Sequence, residues 1–335
     1  MTTKRAGIIP PQGGTVHEGM GSDLFNGDFP AAIRVAEMGS DIFGQDMIWL
    51  CTEASKQDLK PTHIQQSALA VMVLAYVAAY EELLGSLSLD GYAGSSVGQV
   101  LAMRLAGILQ SDEITCQVIA KRGQLMHEAA EGHTGAMVIL LNDEDGPPLD
   151  LDGIRAECEN ELFSGAAVIG LINGEHQVVL SGFEGMVKIL ARNCVASNFA
   201  QKSVTLRGVA AAFHSPVMLP AVGPFSEFLE KIPFGDPVAM LFGNTGAQVI
   251  TTGGAARQEL VDNLTGPVNW LGIMQQLEIH GLTDVTEIGP GEVLANLVKK
   301  FSARTTSRRG KVVAAGVGAA LVVGSIAALL IKNRR

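Results

Sequence analysis

The pattern of apolar and polar positions predicts short strands alternating with longer helices along most of the chain. Residues 6–9 form a short apolar run of strand length, and residues 62–84 form an alanine-rich apolar stretch of helical length. Helical patterns follow at 99–109 and 112–130. This alternation predicts an α/β protein.

The pattern changes at residue 135. Between residues 135 and 206 the chain predicts strands at 136–141, 166–172, 177–181 and 201–206, and helices at 151–161 and 184–196. This βαββαβ order is ferredoxin-like. We therefore expect a ferredoxin-like small subdomain (135–206) inserted in an α/β-hydrolase-like large subdomain (1–134 and 207–302), followed by a basic linker (303–311).

A G-x-S-x-G motif lies between a predicted strand at 90–93 and the helix from residue 99: Gly94-Ser95-Ser96-Val97-Gly98. This context is typical of a nucleophile elbow, which holds a serine hydroxyl out of a sharp strand-to-helix turn. The next helix start supplies N–H groups and a positive dipole end to a developing oxyanion. Glycine and serine are also common in turns, so the motif alone leaves an ordinary turn open.

Composition narrows the class of protein. The chain has 335 residues, 47% of them hydrophobic, which is enough for a large core. Residues 1–298 hold 15 basic and all 34 acidic residues, a balance of −19 that argues against nucleic acid as a partner. The four cysteines lack metal-ligand spacing, which favours free thiols in a reducing compartment. They are Cys51, Cys116, Cys158 and Cys194.

The C-terminal segment predicts a membrane anchor. Residues 312–331 carry no charge, and as a helix they would span about 30 Å, the thickness of the hydrocarbon core of a bilayer. Basic residues flank this segment: Arg308, Arg309 and Lys311 before it, and Lys332, Arg334 and Arg335 after it. We expect a single-pass transmembrane helix with the body facing the cytoplasm. A buried core helix is the alternative.

Small residues recur at every fourth position of that segment, at Gly316, Ala320 and Gly324. Such a stripe allows two membrane helices to pack closely, so self-association of the chain is one interpretation. A span that is simply rich in glycine and alanine is the other.

A serine nucleophile needs a base within hydrogen-bonding reach. His214 stands out among the seven histidines because it follows the predicted insertion and precedes a helix. Several stretches resemble motifs of the malonyl-CoA:acyl-carrier-protein transacylases, the acyltransferase family of fatty-acid and polyketide synthesis. These stretches follow one another in the same order as in that family, and the resemblance covers residues 6–302. They are Ile9-Pro10-Pro11-Gln12-Gly13, Gln66-Ser67-Ala68-Leu69, Gly94 to Gly98, Ala212-Phe213-His214-Ser215, Gly266-Pro267-Val268-Asn269-Trp270 and Glu287-Ile288-Gly289-Pro290-Gly291.

The resemblance implies a ping-pong transfer. Ser96 would form an acyl ester, and His214 would act as the base and then as the acid. The main-chain N–H groups of Gln12 and Val97 would form the oxyanion hole. Malonyl-CoA and an acyl carrier protein would be the two substrates, and no metal or bound organic cofactor is implied.

The resemblance also implies a set of substrate-binding residues. Arg122 would grip the free carboxylate of malonate, which a planar and permanently charged guanidinium binds with two parallel hydrogen bonds. Gln66, Phe213 and Asn269 would be the other substrate-binding residues. Asn269 stands where the family has a glutamine whose side chain supports the catalytic histidine.

Two other functions stay open on the sequence. Departures from the family pattern at Ser95, Pro11 and Asn269 are compatible with a weakly active homologue that binds or recruits carrier protein at a membrane. A patatin-type serine lipase has a related fold, and its substrate would suit a membrane anchor. That class needs a Ser/Asp pair with Asp-Gly-Gly or Asp-Gly-Ala late in the chain, and neither occurs here.

Overall fold

A computed structural model of the protein describes residues 4–132, 134–206, 211–312 and 322–325, which form two β-sheets and the helices packed on them. The strands are β1 (Lys4–Ile9), β2 (Gly91–Gly94), β3 (Gly135–Leu141), β4 (Ala167–Gly174), β5 (Gln177–Phe183), β6 (Lys202–Thr205), β7 (Met240–Phe242), β8 (Val249–Ile250), β9 (Leu282–Glu287) and β10 (Val322–Ser325).

The helices are α1 (Pro30–Phe43), α2 (Met47–Thr52), α3 (Thr62–Leu84), α4 (Gly98–Leu105), α5 (Asp112–Ala130), α6 (Leu151–Glu159), α7 (Glu184–Ala196), α8 (Leu219–Leu229), α9 (Gly253–Thr265), α10 (Trp270–Ile279) and α11 (Val293–Val312). α11 continues through residues 303–311, where the sequence predicts a linker.

The first sheet has the strand order β10-β9-β1-β2-β7-β8 and is parallel except for the β7–β8 pair. Its centre is buried on both faces. On β1, Ile9 belongs to the hydrophobic cluster around α3, and Ile8 belongs to the cluster on the opposite face of the sheet. Burial on both sides explains why these strands read as uninterrupted apolar runs. The fold is α/β, as the sequence predicts.

The second sheet is antiparallel, with the strand order β4-β5-β3-β6. Along the chain its elements follow the order β3, α6, β4, β5, α7 and β6. An isolated bridge between Leu171 of β4 and Val268 joins it to the segment before α10. His214 lies between this sheet and α8 in the chain.

The predicted membrane helix at 312–331 falls mostly outside the described residues. Its described part differs from the prediction, because Val322–Ser325 forms β10 and pairs in parallel with residues 284–287 of β9. A valine-rich segment can satisfy its main-chain groups at an open sheet edge as well as in a helix. Within the described residues, α3 alone has the length and hydropathy to cross a bilayer, but 67% of its apolar window is buried in the protein.

Candidate active site

The G-x-S-x-G motif forms a tight turn between β2 and α4. Ser96 at its apex has φ 56°, a left-handed conformation that a non-glycine residue rarely adopts. A Cβ at Gly94 would overlap the carbonyl oxygen of Gly98, and a Cβ at Gly98 would overlap that of Ile9. Both glycines are therefore required by close backbone contacts, and the turn presents the Ser96 hydroxyl away from the chain.

His214 lies against this serine. The Oγ of Ser96 is 2.8 Å from Nε2 of His214, and the side chains are 5% and 3% exposed. On the other side of the ring, Nδ1 is 2.7 Å from the carbonyl oxygen of Asn263. A carbonyl only accepts, so Nδ1 carries the proton and Nε2 has a free lone pair for the serine hydroxyl. This is the tautomer that a general base requires.

The positive charge nearest to the serine belongs to Arg122 of α5. Its Nη2 donates to Ser96 Oγ at 3.2 Å, and its Nη1 donates to Gln66 Oε1 on α3 at 2.6 Å. The side chain is 1% exposed, and within the described residues it has no carboxylate partner. Burial lowers the pKa of Arg122 to about 10, so the guanidinium stays charged at neutral pH. An unpaired buried cation favours an anion beside Ser96.

Burial and the charge of Arg122 keep the imidazole of His214 neutral. Burial, reinforced by the charge of Arg122, lowers the pKa of His214 to about 4, although its hydrogen bonds to the main chain at Asn263 and Gly266 oppose the shift. At neutral pH the imidazole is therefore unprotonated and able to accept the Ser96 proton.

The predicted oxyanion donors lie on two adjoining loops. Ser95 N–H donates to the carbonyl of Ile9 at 3.0 Å, which holds the elbow against the loop after β1 that carries Gln12. Val97 follows the serine directly and is fully buried. Across the described part of the chain, the main-chain N–H groups of Gln12 and Val97 have no hydrogen-bond acceptor. Neither N–H group is therefore engaged by an acceptor among the described residues.

Two other predicted residues have different surroundings. Asn269 does not support His214, because its Oδ1 accepts from Gly272 N–H at 3.0 Å and caps α10, while the carbonyl of Asn263 holds the imidazole. No side-chain pattern in the sequence could have indicated a main-chain carbonyl in this role. Phe213 lines a cavity of about 330 Å³ between the start of α3 and the end of α5.

Asn244, which no sequence motif indicates, is a fully buried residue after β7 that contacts the elbow. Its Oδ1 accepts from the main-chain N–H of Ser96 at 2.7 Å. The described residues contain no group of three or more His, Cys, Asp or Glu side chains that could hold a metal ion.

Known proteins of similar sequence indicate the family of this chain. The acyl transferase domain family matches residues 10–269. The malonyl CoA-acyl carrier protein transacylase of Bacillus subtilis (strain 168) is 29% identical over 303 residues, which cover 90% of this chain and 92% of the relative. A second transacylase of the same name, from Bacillus subtilis, is 30% identical over 88% of this chain and 71% of its own length.

Solved structures show the same fold. The acyl-carrier-protein S-malonyltransferase from Burkholderia pseudomallei 1710b has a TM-score of 0.84 at 26% identity, covering 98% of this chain and 99% of that one. A malonyl-transacylase in complex with its type II PKS acyl-carrier protein has a TM-score of 0.83 at 25% identity, covering 99% and 100%. The chain therefore belongs to the acyl transferase domain family, together with the malonyl CoA-acyl carrier protein transacylases that its motifs resemble, and it is an acyltransferase.

Proposed function

We propose that this acyltransferase moves a malonyl group from malonyl-CoA to the phosphopantetheine thiol of an acyl carrier protein, through an acyl ester on Ser96. The observation that carries the proposal is the buried Arg122, whose guanidinium lies 3.2 Å from Ser96 Oγ and has no carboxylate partner among the described residues. An acyl group with a free carboxylate supplies the missing anion, and malonyl is the dicarboxylic acyl group for which the relatives are named.

In the first half-reaction, Ser96 Oγ attacks the thioester carbonyl while Nε2 of His214 takes the hydroxyl proton. The negative charge on the carbonyl oxygen is stabilised by the N–H groups of Gln12 and Val97. The C–S bond then breaks, and His214 returns the proton to the departing CoA thiolate. In the second half, the carrier-protein thiol gives its proton to His214 and attacks the ester carbonyl. The C–O bond to Ser96 then breaks, and His214 returns the proton to Ser96 Oγ.

Arg122 would select the acyl group. A malonyl carboxylate can pair with the guanidinium through two hydrogen bonds, whereas an acetyl group would leave this buried cation unpaired. Gln66 holds the guanidinium from α3 at 2.6 Å, which limits the loss of side-chain freedom on binding.

The two alternatives are less well supported. A binding role without catalysis would not require a neutral histidine 2.8 Å from a strained serine. In a patatin-type lipase an aspartate would serve as the base, whereas here His214 contacts Ser96 and is itself held by a carbonyl.

We further propose that residues 135–206 form a ferredoxin-like small subdomain over the α/β-hydrolase-like large one, and that residues 312–331 anchor the body at the cytoplasmic face of a membrane. The uncharged span with basic flanks supports the anchor. Pairing of Val322–Ser325 with β9 and insertion in a bilayer exclude each other. Self-association through the small-residue stripe is part of the same proposal.

A transfer assay with two forms of carrier protein tests the function. Malonyl-CoA and the protein should load malonate on holo carrier protein, and not on the apo form, which lacks the phosphopantetheine thiol. Intact-mass analysis of the carrier protein gives the result. Absence of loading on the holo form of several bacterial carrier proteins would reject malonyl transfer.

A further inference from the structure

Asn244 bridges the two sides of the elbow. Its Nδ2 donates to the carbonyl of Gly94 at 2.6 Å and to Gln99 Oε1 at 2.7 Å, while its Oδ1 accepts from the N–H of Ser96 at 2.7 Å. Both donor hydrogens and the acceptor oxygen of this one amide therefore bind residues before, at and after the nucleophile. The N–H of Ser96 is thereby engaged, and the oxyanion donor on this side of the site is the next N–H, that of Val97.

The elbow needs such a restraint. Ser96 has φ 56°, and a non-glycine residue persists in this conformation only where the surrounding contacts over-determine it. Asn244 and Gln99 are both fully buried, so water cannot replace the hydrogen bonds between them. Gln99 connects this hydrogen-bond network to β7 of the first sheet, because its Nε2 donates to the carbonyl of Phe242 at 3.1 Å.

A buried carboxylate fixes Asn244 in turn. Glu259 of α9 is 3% exposed, and its Oε1 accepts from the N–H groups of Asn244 and Thr245 at 2.6 and 2.9 Å. Its Oε2 accepts from Thr245 Oγ1 and Gln248 Nε2. One turn further along α9, the carbonyl of Asn263 holds Nδ1 of His214. The same helix thus holds Ser96 through Asn244 and His214 directly.

We propose that Asn244 is a positioning residue for the acyl transfer, that Glu259 anchors it, and that α9 sets the distance between Ser96 Oγ and His214 Nε2. The inference rests on the proposed role of Ser96 as nucleophile. A displacement of about 1 Å between reacting groups can slow a reaction by about 10²-fold, which is why restraint of the elbow has a kinetic effect.

The test uses phenylmethylsulfonyl fluoride, which reports on the serine–histidine pair whichever acyl donor the protein uses. Ser96 Oγ forms the S–O bond, fluoride leaves, and His214 takes the proton. In the full-length chain, Asn244→Ala should slow the sulfonylation of Ser96 by about 10²-fold. The control is Asn193→Ala, an amide on α7 that donates to Glu157 at 2.8 Å outside the site, and it should react at the wild-type rate.

A second measurement separates positioning from a merely structural effect. In a Ser96→Ala background, which keeps the N–H at position 96, Asn244→Ala should change the Kd of malonyl-CoA by less than about twofold. Asn244→Asp keeps the acceptor for that N–H but loses the donors, so its labelling rate should lie between those of wild type and Asn244→Ala. Should Asn244→Ala fail to fold, Glu259→Gln carries the test, with an expected loss of about tenfold.

The outcomes divide clearly. Labelling of Asn244→Ala at the wild-type rate, or an equal loss of labelling and of malonyl-CoA binding, would overturn the positioning role. So would a wild-type Ser96 that the sulfonyl fluoride leaves unlabelled. Labelling that depends on Asn244, together with no reaction with malonyl-CoA, would leave the positioning role intact and reject the proposed function instead.

Discussion

Ser96 Oγ and His214 Nε2 lie 2.8 Å apart although 118 positions separate the two residues in the chain. Both residues adopt left-handed backbone conformations, with φ of 56° and 58°. Two strained turns that meet at one hydrogen bond are typical of a functional site, because strain of this kind is retained where the surrounding structure enforces it.

The pH dependence of Ser96 acylation should report the lowered pKa of His214. The base must be neutral to take a proton, so kcat/KM for malonyl-CoA should stay level as the pH falls to about 5 and decline through a pKa of about 4. Burial is the larger cause of the shift and Arg122 the smaller one. Arg122→Ala should therefore move the midpoint upward, towards the ordinary value of 6.5.

Single-turnover acylation after a pH jump gives this profile before acid unfolding interferes. A wild-type midpoint near 6.5, or a midpoint in Arg122→Ala that does not rise, would contradict this account of the site.

Much of the fold was predictable because long, uninterrupted patterns specify it. The sequence places α3 at 62–84 and α5 at 112–130, the bounds that the structure has. It misses α1, whose interior contains Gly39. That glycine lets α1 approach α3 closely, since a Cβ there would lie 2.5 Å from Val71 Cγ2. Contacts between helices, rather than local propensity, decide such an element.

The site was predictable only where a side chain carries the chemistry. Motifs indicated Ser96, His214 and Arg122, and in the structure both His214 and Arg122 lie within hydrogen-bonding distance of Ser96 Oγ. Asn263 acts through its carbonyl and Asn244 through three hydrogen bonds inside the protein, so neither has a recognisable pattern in one sequence.

Arg122 should determine the choice of acyl group. Arg122→Ala should weaken malonyl transfer and narrow the preference for malonyl over acetyl by about 2–3 kcal/mol, the scale of hydrogen bonds to charged groups. Rates with malonyl-CoA and acetyl-CoA give the ratio. The control is Arg155→Ala, whose exposed ion pair with Asp152 lies on α6. An unchanged malonyl-to-acetyl ratio in Arg122→Ala would reject its role.

The raised pKa of Glu287 predicts how the free energy of unfolding depends on pH. This fully buried carboxylate accepts from the N–H groups of Leu294 and Ala295, and burial raises its pKa to about 7. Between pH 4.5 and 7 the unfolded chain loses the proton that the folded chain retains, so the free energy of unfolding falls as the pH rises. Above pH 7 the ionisation of Glu287 causes no further decrease in the free energy of unfolding.

Glu287→Gln removes the titration but also one hydrogen bond at the start of α11. Its deficit in unfolding free energy relative to wild type should therefore shrink from pH 5 to pH 7, as measured by urea denaturation. A deficit that grows over this range would have the wrong sign for a raised pKa.

Membrane attachment should depend on residues 312–331. The full chain should pellet with membranes and resist extraction with alkaline carbonate, while a chain truncated after Arg309 should be soluble and still active. Ala320→Arg with Leu321→Arg keeps the length of the span but adds charges that a bilayer core disfavours. A full-length chain in the soluble fraction would favour the strand at Val322–Ser325 over a membrane helix.

The most direct test of the central claim is the mass of the intact protein after incubation with malonyl-CoA alone. The account predicts the addition of one malonyl group, located on Ser96 by peptide mapping, and its loss when holo carrier protein is added. Ser96→Ala should gain no mass. A malonyl group that persists in Ser96→Ala, or a wild-type protein that transfers malonate without ever carrying it, would contradict the acyl-enzyme mechanism.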